Sequence, residues 1–196
     1  MKSNIIWIIG TILAIVLFIG AYALYNNLSE DHAPENLATT EPAKTDTAEE
    51  SSDKSGSEED DAGKAPDFTV YTQSGDAVKL SDYFGRPIVM NFWASWCNPC
   101  KAEMPHFEEA YKEHTDVTFL MVNMTSGDNK ADAEALIASN GYTFPVLFDT
   151  DGDAAMTYGA SSLPMTLFID ENGKFITYAV GMLDKATLEK GIGMIK

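Results

Sequence analysis

Two cysteines three positions apart are the residues of this 196-residue chain whose types and spacing most clearly suggest chemistry. Cys97 and Cys100 are its only cysteines, and Asn98 and Pro99 lie between them. Two cysteines exclude both a disulfide-stapled miniprotein and a four-cysteine metal site. If a helix begins at about Cys97, the free backbone N–H groups and the helix dipole favour its thiolate and lower the pKa of Cys97. The spacing therefore indicates thiol–disulfide exchange.

The two sulfurs are expected to have different tasks in that exchange. Cys97 is predicted to be exposed and to attack a substrate disulfide, whereas Cys100, one turn later, is more sheltered and releases the mixed disulfide. A zinc site that adds His106 and His114 is one alternative, but the interval from Cys100 to His106 is not a zinc-finger spacing. A purely structural disulfide is the other, and so short a loop would contribute little stability. We therefore predict no metal ligand here.

The elements that must position these cysteines follow from apolar runs, turn residues and capping residues. Strands are predicted at 67–71, 77–80, 87–94, 117–123, 145–148, 165–169 and 175–180. Helices are predicted from about residue 97, at 130–140, near 153–158 and at 184–196, where Asp184 is a plausible N-cap. Strands and helices alternate before a final hairpin and helix, which predicts an α/β protein with a mixed sheet and helices on both faces.

A resemblance to a known family rests on the residues around this motif. Segment 91–105, NFWASWCNPCKAEMP, resembles the active-site segment of the thioredoxin superfamily, and more narrowly its membrane-anchored bacterial TlpA/ResA-like branch. Residues 65–68 resemble the entry strand of that branch, and Leu163-Pro164 is similar to its proline loop. The resemblance covers residues 65–196. It implies a thioredoxin-like fold with a mixed central sheet flanked by helices and an N-terminal β-hairpin extension.

The same resemblance implies roles for six residues. Cys97 and Cys100 would form the redox-active disulfide, as nucleophile and resolving cysteine. Glu103 would relay a proton to Cys100; the alternative is a first-turn glutamate that complements the helix dipole. Pro164 would be a cis proline beside the dithiol, or else a plain turn proline, and the Leu163 backbone would pair with a substrate peptide. Trp96 would shape substrate access, although packing in the core is an equal alternative.

The direction of exchange and the rival functions depend on the neighbouring residues. A peroxiredoxin would need proline and threonine where this chain has Met90 and Ala94. Metal delivery on the same fold uses a cysteine spacing one residue longer, and an inert adaptor would have lost a cysteine. The neutral Asn98-Pro99 pair resembles reducing members more than strong oxidants, so a reductase is expected, with a disulfide-forming oxidase as the alternative.

The implied partners also follow from the resemblance and from the cysteine count. Because the chain has no third cysteine to relay electrons internally, a separate donor is needed, and the family implies a membrane thiol transporter of the CcdA type. The implied clients are exported proteins with disulfides. Apocytochrome c is the leading candidate, and spore-envelope or sulfoxide-repair partners are the alternatives. No cofactor is expected.

The part of the chain before the cysteines predicts its location. Residues 5–24 lack charge and are long enough to cross a bilayer, so residues 1–29 are predicted to be an N-terminal membrane anchor. Lys2 precedes the span, which places the N-terminus in the cytoplasm and the catalytic domain outside. The alternative is a cleaved signal peptide, since 21–23 has an A-x-A pattern. Both interpretations export the rest of the chain.

Charge and hydropathy divide the remainder into a linker and a domain. Residues 30–64 contain twelve acids, three lysines and a single large aliphatic residue, Leu37, which predicts a disordered acidic linker. Residues 65–196 are predicted to be the folded thioredoxin-like domain. The chain has 30 acidic and 13 basic side chains, a formal net charge of −17, which argues against binding nucleic acid.

Overall fold

The computed structural model describes residues 63–196. The predicted membrane span at 5–24, and the predicted linker up to residue 62, lie outside the described residues. Within 63–196, none of the helices combines the length and the apolar character that crossing a bilayer requires.

The described chain forms seven strands and four α-helices in one sheet with flanking helices. The strands are β1 Thr69–Tyr71, β2 Ala77–Lys79, β3 Ile88–Trp93, β4 Thr118–Asn123, β5 Val146–Phe148, β6 Met165–Ile169 and β7 Phe175–Val180. The helices are α1 Asn98–Glu113, α2 Lys130–Asn140, α3 Asp153–Tyr158 and α4 Lys185–Met194. Single 3-10 turns occupy Leu80–Tyr83 and Thr125–Gly127. Each predicted strand and helix is present, with ends within about two residues of those predicted.

The strand order is β2-β1-β5-β4-β3-β6-β7, and the sheet is mixed as predicted. β3, β4 and β5 are parallel, as crossover helices require, whereas β6 and β7 pair antiparallel on one side and β1 and β2 on the other. The β1–β2 hairpin is the predicted N-terminal extension, joined to β5 through Tyr71 and Phe148. Gly63 and Lys64, which the sequence assigns to the linker, already pair with the start of β7. Lys64 forms an antiparallel bridge with Lys174, and the Phe175 amide donates to the Gly63 carbonyl.

Local signals explain where the helices begin and end. The Asn129 side chain accepts hydrogen bonds from the Ala131 and Asp132 amides and caps α2, which ends at Gly141 in the left-handed conformation with φ of 67°. Asp184 caps α4 by accepting from the Thr187 amide at 2.8 Å, as predicted.

The core lies on both faces of the central strand β3, all six of whose residues are buried. Val89 and Trp93 pack in one apolar cluster with residues of α1, α2 and α4. Ile88, Met90 and Phe92 pack in a second cluster with residues of α3 and the first 3-10 turn. β3 therefore fixes the position of the loop that leads to Cys97.

Two glycines of α4 give a test of this packing. A Cβ atom on Gly191 would lie 2.3 Å from the Phe168 ring, whereas a Cβ atom on Gly193 would have no neighbour within 4 Å. We expect Gly191→Ala to lower the free energy of unfolding by about 1–3 kcal/mol through overpacking. Gly193→Ala, the matched control, should raise it by up to about 1 kcal/mol, because alanine favours a helix more than glycine does. Denaturant unfolding measures both, and equal effects of the two variants would contradict the close α4–β6 contact.

Candidate active site

The two cysteines lie at the N-terminus of α1, directly after the central strand. Cys97 is the N-cap residue, and Pro99 occupies the second helical position, where it has no hydrogen bond to lose. The sulfurs form a disulfide of 2.05 Å with the Cα atoms 5.3 Å apart. The Cys97 sulfur also accepts from the Cys100 amide at 3.2 Å. The predicted placement of Cys97 against the free N–H groups of a helix is therefore confirmed.

The predicted exposure of Cys97 is wrong for this disulfide-bonded form. Only 4% of Cys97 is accessible and Cys100 is fully buried. The physical reason is the cap itself: the Cys97 side chain turns back over the first turn of α1 to reach Cys100. Both sulfurs thereby join the apolar cluster that packs against α1.

Glu103 is a fully buried acid one turn beyond Cys100. Its Oε1 accepts from the Asn91 side-chain amide at 2.9 Å, and its Oε2 accepts from the Leu183 backbone amide at 2.8 Å. Burial raises the pKa of Glu103 to about 7, against these two hydrogen bonds, which favour the ionised form. The carboxyl group can therefore gain or lose a proton near neutral pH.

The geometry of α1 relates this acid to the resolving cysteine. Residues three apart share one helix face with Cβ atoms about 5–6 Å apart, so Glu103 and Cys100 face the same part of the core. The Glu103 oxygens accept hydrogen bonds from Asn91 on β3 and from Leu183 in the loop between β7 and α4. A buried carboxyl group with these partners can act as a proton acceptor. A glutamate that only complements the helix dipole would not need to be buried.

The Leu163–Pro164 peptide bond is cis and directly precedes β6, next to the end of β3. Met165 pairs with Phe92 in the antiparallel register, which brings Pro164 to the end of the sheet where the chain continues to Cys97. The Pro164 carbonyl accepts from the Gly181 amide at 2.8 Å. Leu163 is half-buried and packs against the cluster that contains both cysteines.

Trp96 lies at the surface, with 62% of it exposed, so core packing does not explain this tryptophan. Its indole N–H donates to the Gly127 carbonyl at 3.1 Å. Asp128 accepts from both the amide and the hydroxyl of Ser95, at 2.6 and 2.5 Å. The loop after β4 thus holds the turn that leads to Cys97 and fixes an exposed aromatic ring beside it.

Comparison with known proteins identifies the family. A model of the AhpC/TSA family matches residues 62–178, which is more than half of the chain and includes the dithiol. The chain belongs to the AhpC/TSA family. Among curated relatives, the thiol-disulfide oxidoreductase ResA of Geobacillus thermodenitrificans is 35% identical over 134 residues, covering 67% of this chain and 76% of that protein. The thioredoxin-like protein YneN of Bacillus subtilis is 36% identical over 133 residues, covering 67% and 78%.

Solved structures of similar proteins support the same assignment for this AhpC/TSA protein. A putative thiol:disulfide interchange protein DsbE from Chlorobium tepidum superposes with a TM-score of 0.60 at 33% identity, covering 66% of this chain and 92% of that one. StoA from Bacillus subtilis superposes with a TM-score of 0.58 at 26% identity, covering 66% and 98%. The predicted ResA-like resemblance and thioredoxin-like fold are confirmed. The protein is a thiol-disulfide oxidoreductase.

Sequence reasoning missed several residues that hold this AhpC/TSA site together. Asn91 interrupts an apolar strand, and because a buried amide needs partners it could have been marked as structural or functional. Thr166 and Asp128 carry weaker signals, since hydroxyls and acids are common near strand ends. Leu183 contributes only its backbone N–H, for which no sequence signal exists.

The four-ligand zinc alternative is not assembled in this AhpC/TSA domain. The two sulfurs are bonded to each other, and His114 lies about 21 Å along the helix from Cys100, by the 1.5 Å rise per residue. Within the described residues, Glu113, His114 and Glu189 have ligand atoms within 4.8 Å of one another. These groups already have partners: Lys185 pairs with Glu113, Lys196 donates to Nδ1 of His114, and Nε2 of His114 is hydrogen-bonded to Glu189. The cluster is therefore a network of hydrogen bonds and ion pairs between α1 and the C-terminal end.

Proposed function

We propose that this protein is an extracytoplasmic thiol-disulfide reductase that acts on exported proteins through Cys97 and Cys100. The observation that carries the proposal is the disulfide at the N-terminus of α1 with the buried acid Glu103 one turn beyond it. An attacking sulfur next to free helix N–H groups and a resolving sulfur near a proton acceptor are what two-step exchange requires.

The reaction begins with the reduced dithiol. The Cys97 thiolate attacks one sulfur of a substrate disulfide, forms a mixed disulfide and releases the other substrate sulfur as a thiolate. Cys100 then gives its proton to the Glu103 carboxylate, and its thiolate attacks the Cys97 sulfur. The Cys97–Cys100 disulfide forms and the second substrate sulfur leaves. The substrate gains two electrons and takes up two protons, one given up by Glu103, which returns to the carboxylate, and one from solvent, which replaces the proton that Cys97 lost on ionising. The enzyme dithiol is oxidised.

The substrate is proposed to bind as an extended peptide beside the disulfide. The Leu163 backbone, directly before Pro164, would pair with it by β-augmentation, the mode in which main-chain hydrogen bonds provide the affinity. Trp96 would contact its side chains, which the exposed and fixed position of the indole supports. Met182, half-exposed and next to Gly181, which binds the Pro164 carbonyl, extends this apolar surface.

The location and partners are proposed from the sequence. Residues 5–24 would anchor the protein as a single-pass span with a cytoplasmic N-terminus. Residues 30–62 would let the domain move close to the extracytoplasmic face of the same membrane. Because the chain holds only two cysteines, electrons would come from a membrane thiol transporter of the CcdA type. Exported proteins with unwanted disulfides are the proposed clients, and apocytochrome c in cytochrome c maturation is the first to test.

The reduction potential of the Cys97–Cys100 pair tests the direction of exchange. We expect a value near or below about −250 mV, in the range of thioredoxin, because neutral Asn98 and Pro99 provide no charge that would stabilise the reduced thiolate. The protein is equilibrated with dithiol buffers of defined potential and followed by the fluorescence of the neighbouring Trp93 and Trp96. A value near about −120 mV would contradict the proposal and indicate a disulfide-forming oxidase.

A further inference from the structure

We infer that Asn91, held in place by Thr166, is a positioning residue that orients the Glu103 carboxyl group and sets its affinity for a proton. The inference deepens the proposed function, because it rests on Glu103 as the proton acceptor of Cys100. Asn91 acts through Glu103 and touches no reacting sulfur in this mechanism.

The contacts define a three-residue chain across three elements. The Asn91 amide nitrogen on β3 donates to Glu103 Oε1 on α1 at 2.9 Å, and to the Thr166 hydroxyl on β6 at 3.0 Å. Asn91 is 1% exposed, and Glu103 and Thr166 are fully buried. β3 and β6 pair with Asn91 directly opposite Thr166, so the sheet register fixes the donor of the Glu103 hydrogen bond.

The Asn91 carbonyl oxygen explains why an amide is suited to this position. That oxygen, Oδ1, is buried and makes no hydrogen bond in the structure. An ionised Glu103 needs a donor and receives the Asn91 N–H, whereas a protonated Glu103 can itself donate. If the Asn91 side chain rotates by 180°, Oδ1 accepts from the carboxyl proton, and the Thr166 hydroxyl, which can accept or donate, bonds to either orientation. The hydrogen bonds to Glu103 and Thr166 can therefore be made in both protonation states, while the other end of the Asn91 amide has no hydrogen-bond partner among the described residues in either orientation.

Among residues 63–196, no charged group contributes to the pKa shift of Glu103. The groups that face its carboxyl are the Asn91 amide from β3 and the Leu183 N–H from the β7–α4 loop, with Cys100 one turn before it on α1. Neither donor is charged, Thr166 behind Asn91 is uncharged too, and Cys100 is held in the disulfide. In the described part of the chain, burial and these two hydrogen bonds account for the raised pKa of Glu103. Loss of Asn91 should therefore weaken the ionised form more than the protonated form, because a hydrogen bond to a charged carboxylate is stronger than one to a neutral carboxyl group.

The titration of Glu103 in the oxidised full-length protein tests the inference, because no thiol titrates while the disulfide is intact. Side-chain carboxyl carbons are labelled with ¹³C, the Glu103 signal is assigned by its absence from Glu103→Gln, and its chemical shift is followed with pH. The variants are Asn91→Leu, Thr166→Val and Thr166→Ser. Asn123→Leu is the matched control, since Asn123 is a buried asparagine on the adjacent strand that donates to Asp128 instead.

We expect Asn91→Leu to move the Glu103 inflection upward by about one pH unit or more. Thr166→Val should move it upward by less, and Thr166→Ser, which keeps the hydroxyl, should restore the wild-type inflection. Asn123→Leu should leave it in place. If Asn91→Leu does not fold, the comparison of Thr166→Val with Thr166→Ser tests the inference.

Two results would overturn the inference: an Asn91→Leu inflection equal to that of the wild type, or equal inflections for Thr166→Val and Thr166→Ser. Failure of the proposed function would look different. In that case Glu103 titrates as expected in each variant, but the pH profile of disulfide exchange does not follow the Glu103 inflection. Such a result would support the positioning role of Asn91 and show that Glu103 does not take part in the exchange reaction.

Discussion

The Cys97→Ser variant is expected to lose disulfide exchange by about a thousandfold or more. Serine has the shape of cysteine, but its hydroxyl is neither ionised near neutral pH nor able to form a disulfide, so no mixed disulfide can begin. The measurement is the reduction of a model protein disulfide by pre-reduced enzyme under single-turnover conditions. Folding is checked by circular dichroism and by the fluorescence of the buried Trp93.

Cys100→Ser is the matched partner of this variant, because it removes the other sulfur of the same pair. Cys97 can still attack, but no internal thiolate follows, so the substrate remains attached through a mixed disulfide. We expect a covalent enzyme–substrate complex on a non-reducing gel for Cys100→Ser and none for Cys97→Ser. A complex with Cys97→Ser would reverse the two roles, and full activity of either variant would overturn the dithiol mechanism.

Glu103→Gln is expected to slow release of the mixed disulfide by about 10²- to 10⁴-fold, the range that a positioned proton acceptor contributes. In the wild type, this step should accelerate as pH rises through about 7, where Glu103 becomes ionised. The glutamine variant has no such acceptor, so its rate should rise only as the Cys100 thiol itself ionises, near about 8.5 for a free thiol. Stopped-flow measurement of resolution across pH 5–10 separates the two profiles.

Glu108→Gln is the control for this substitution. Glu108 is also a largely buried acid of α1, but it faces the Thr143 and Phe144 amides, away from the cysteines. Although burial acts in the opposite direction, hydrogen bonds from Lys112 and Thr143 hold the pKa of Glu108 below its ordinary value. Its replacement should leave the inflection of the resolution rate near pH 7. The same inflection in Glu103→Gln would assign the titration to another group.

The same Glu103→Gln variant has an expected effect on stability. Below pH 4.5 the acid is protonated in both the folded and the unfolded chain; between 4.5 and about 7 only the folded state keeps the proton. The free energy of unfolding therefore falls as pH rises through this window, by about 3 kcal/mol in total. Glutamine removes the loss, so its stability relative to the wild type should increase from pH 4 to pH 8. Denaturant unfolding of the oxidised proteins at both pH values measures this change.

Much of the fold could be predicted because its signals are local. The apolar run before Cys97 is long enough for a buried strand, Gly141 ends α2, and Asp184 caps α4; each effect acts within a few residues of its own position. The dithiol could also be predicted from the sequence, since two cysteines and a helix-compatible proline lie within four positions. The membrane span and most of the linker remain predictions.

Only the tertiary structure determined which groups of the site are buried and which of them are hydrogen-bonded to one another. Cys97 and Glu103 are visible in the sequence, but the burial of the Cys97 sulfur depends on how its cap folds over α1. The partners of Glu103 lie 12 and 80 positions away, and one of them is a backbone N–H that no residue type reveals. The sequence by itself determined which groups are able to react, because that depends on the side chains and their near neighbours. Burial and long-range hydrogen bonds determine when Glu103 holds its proton, because they arise only after distant strands and helices have packed together.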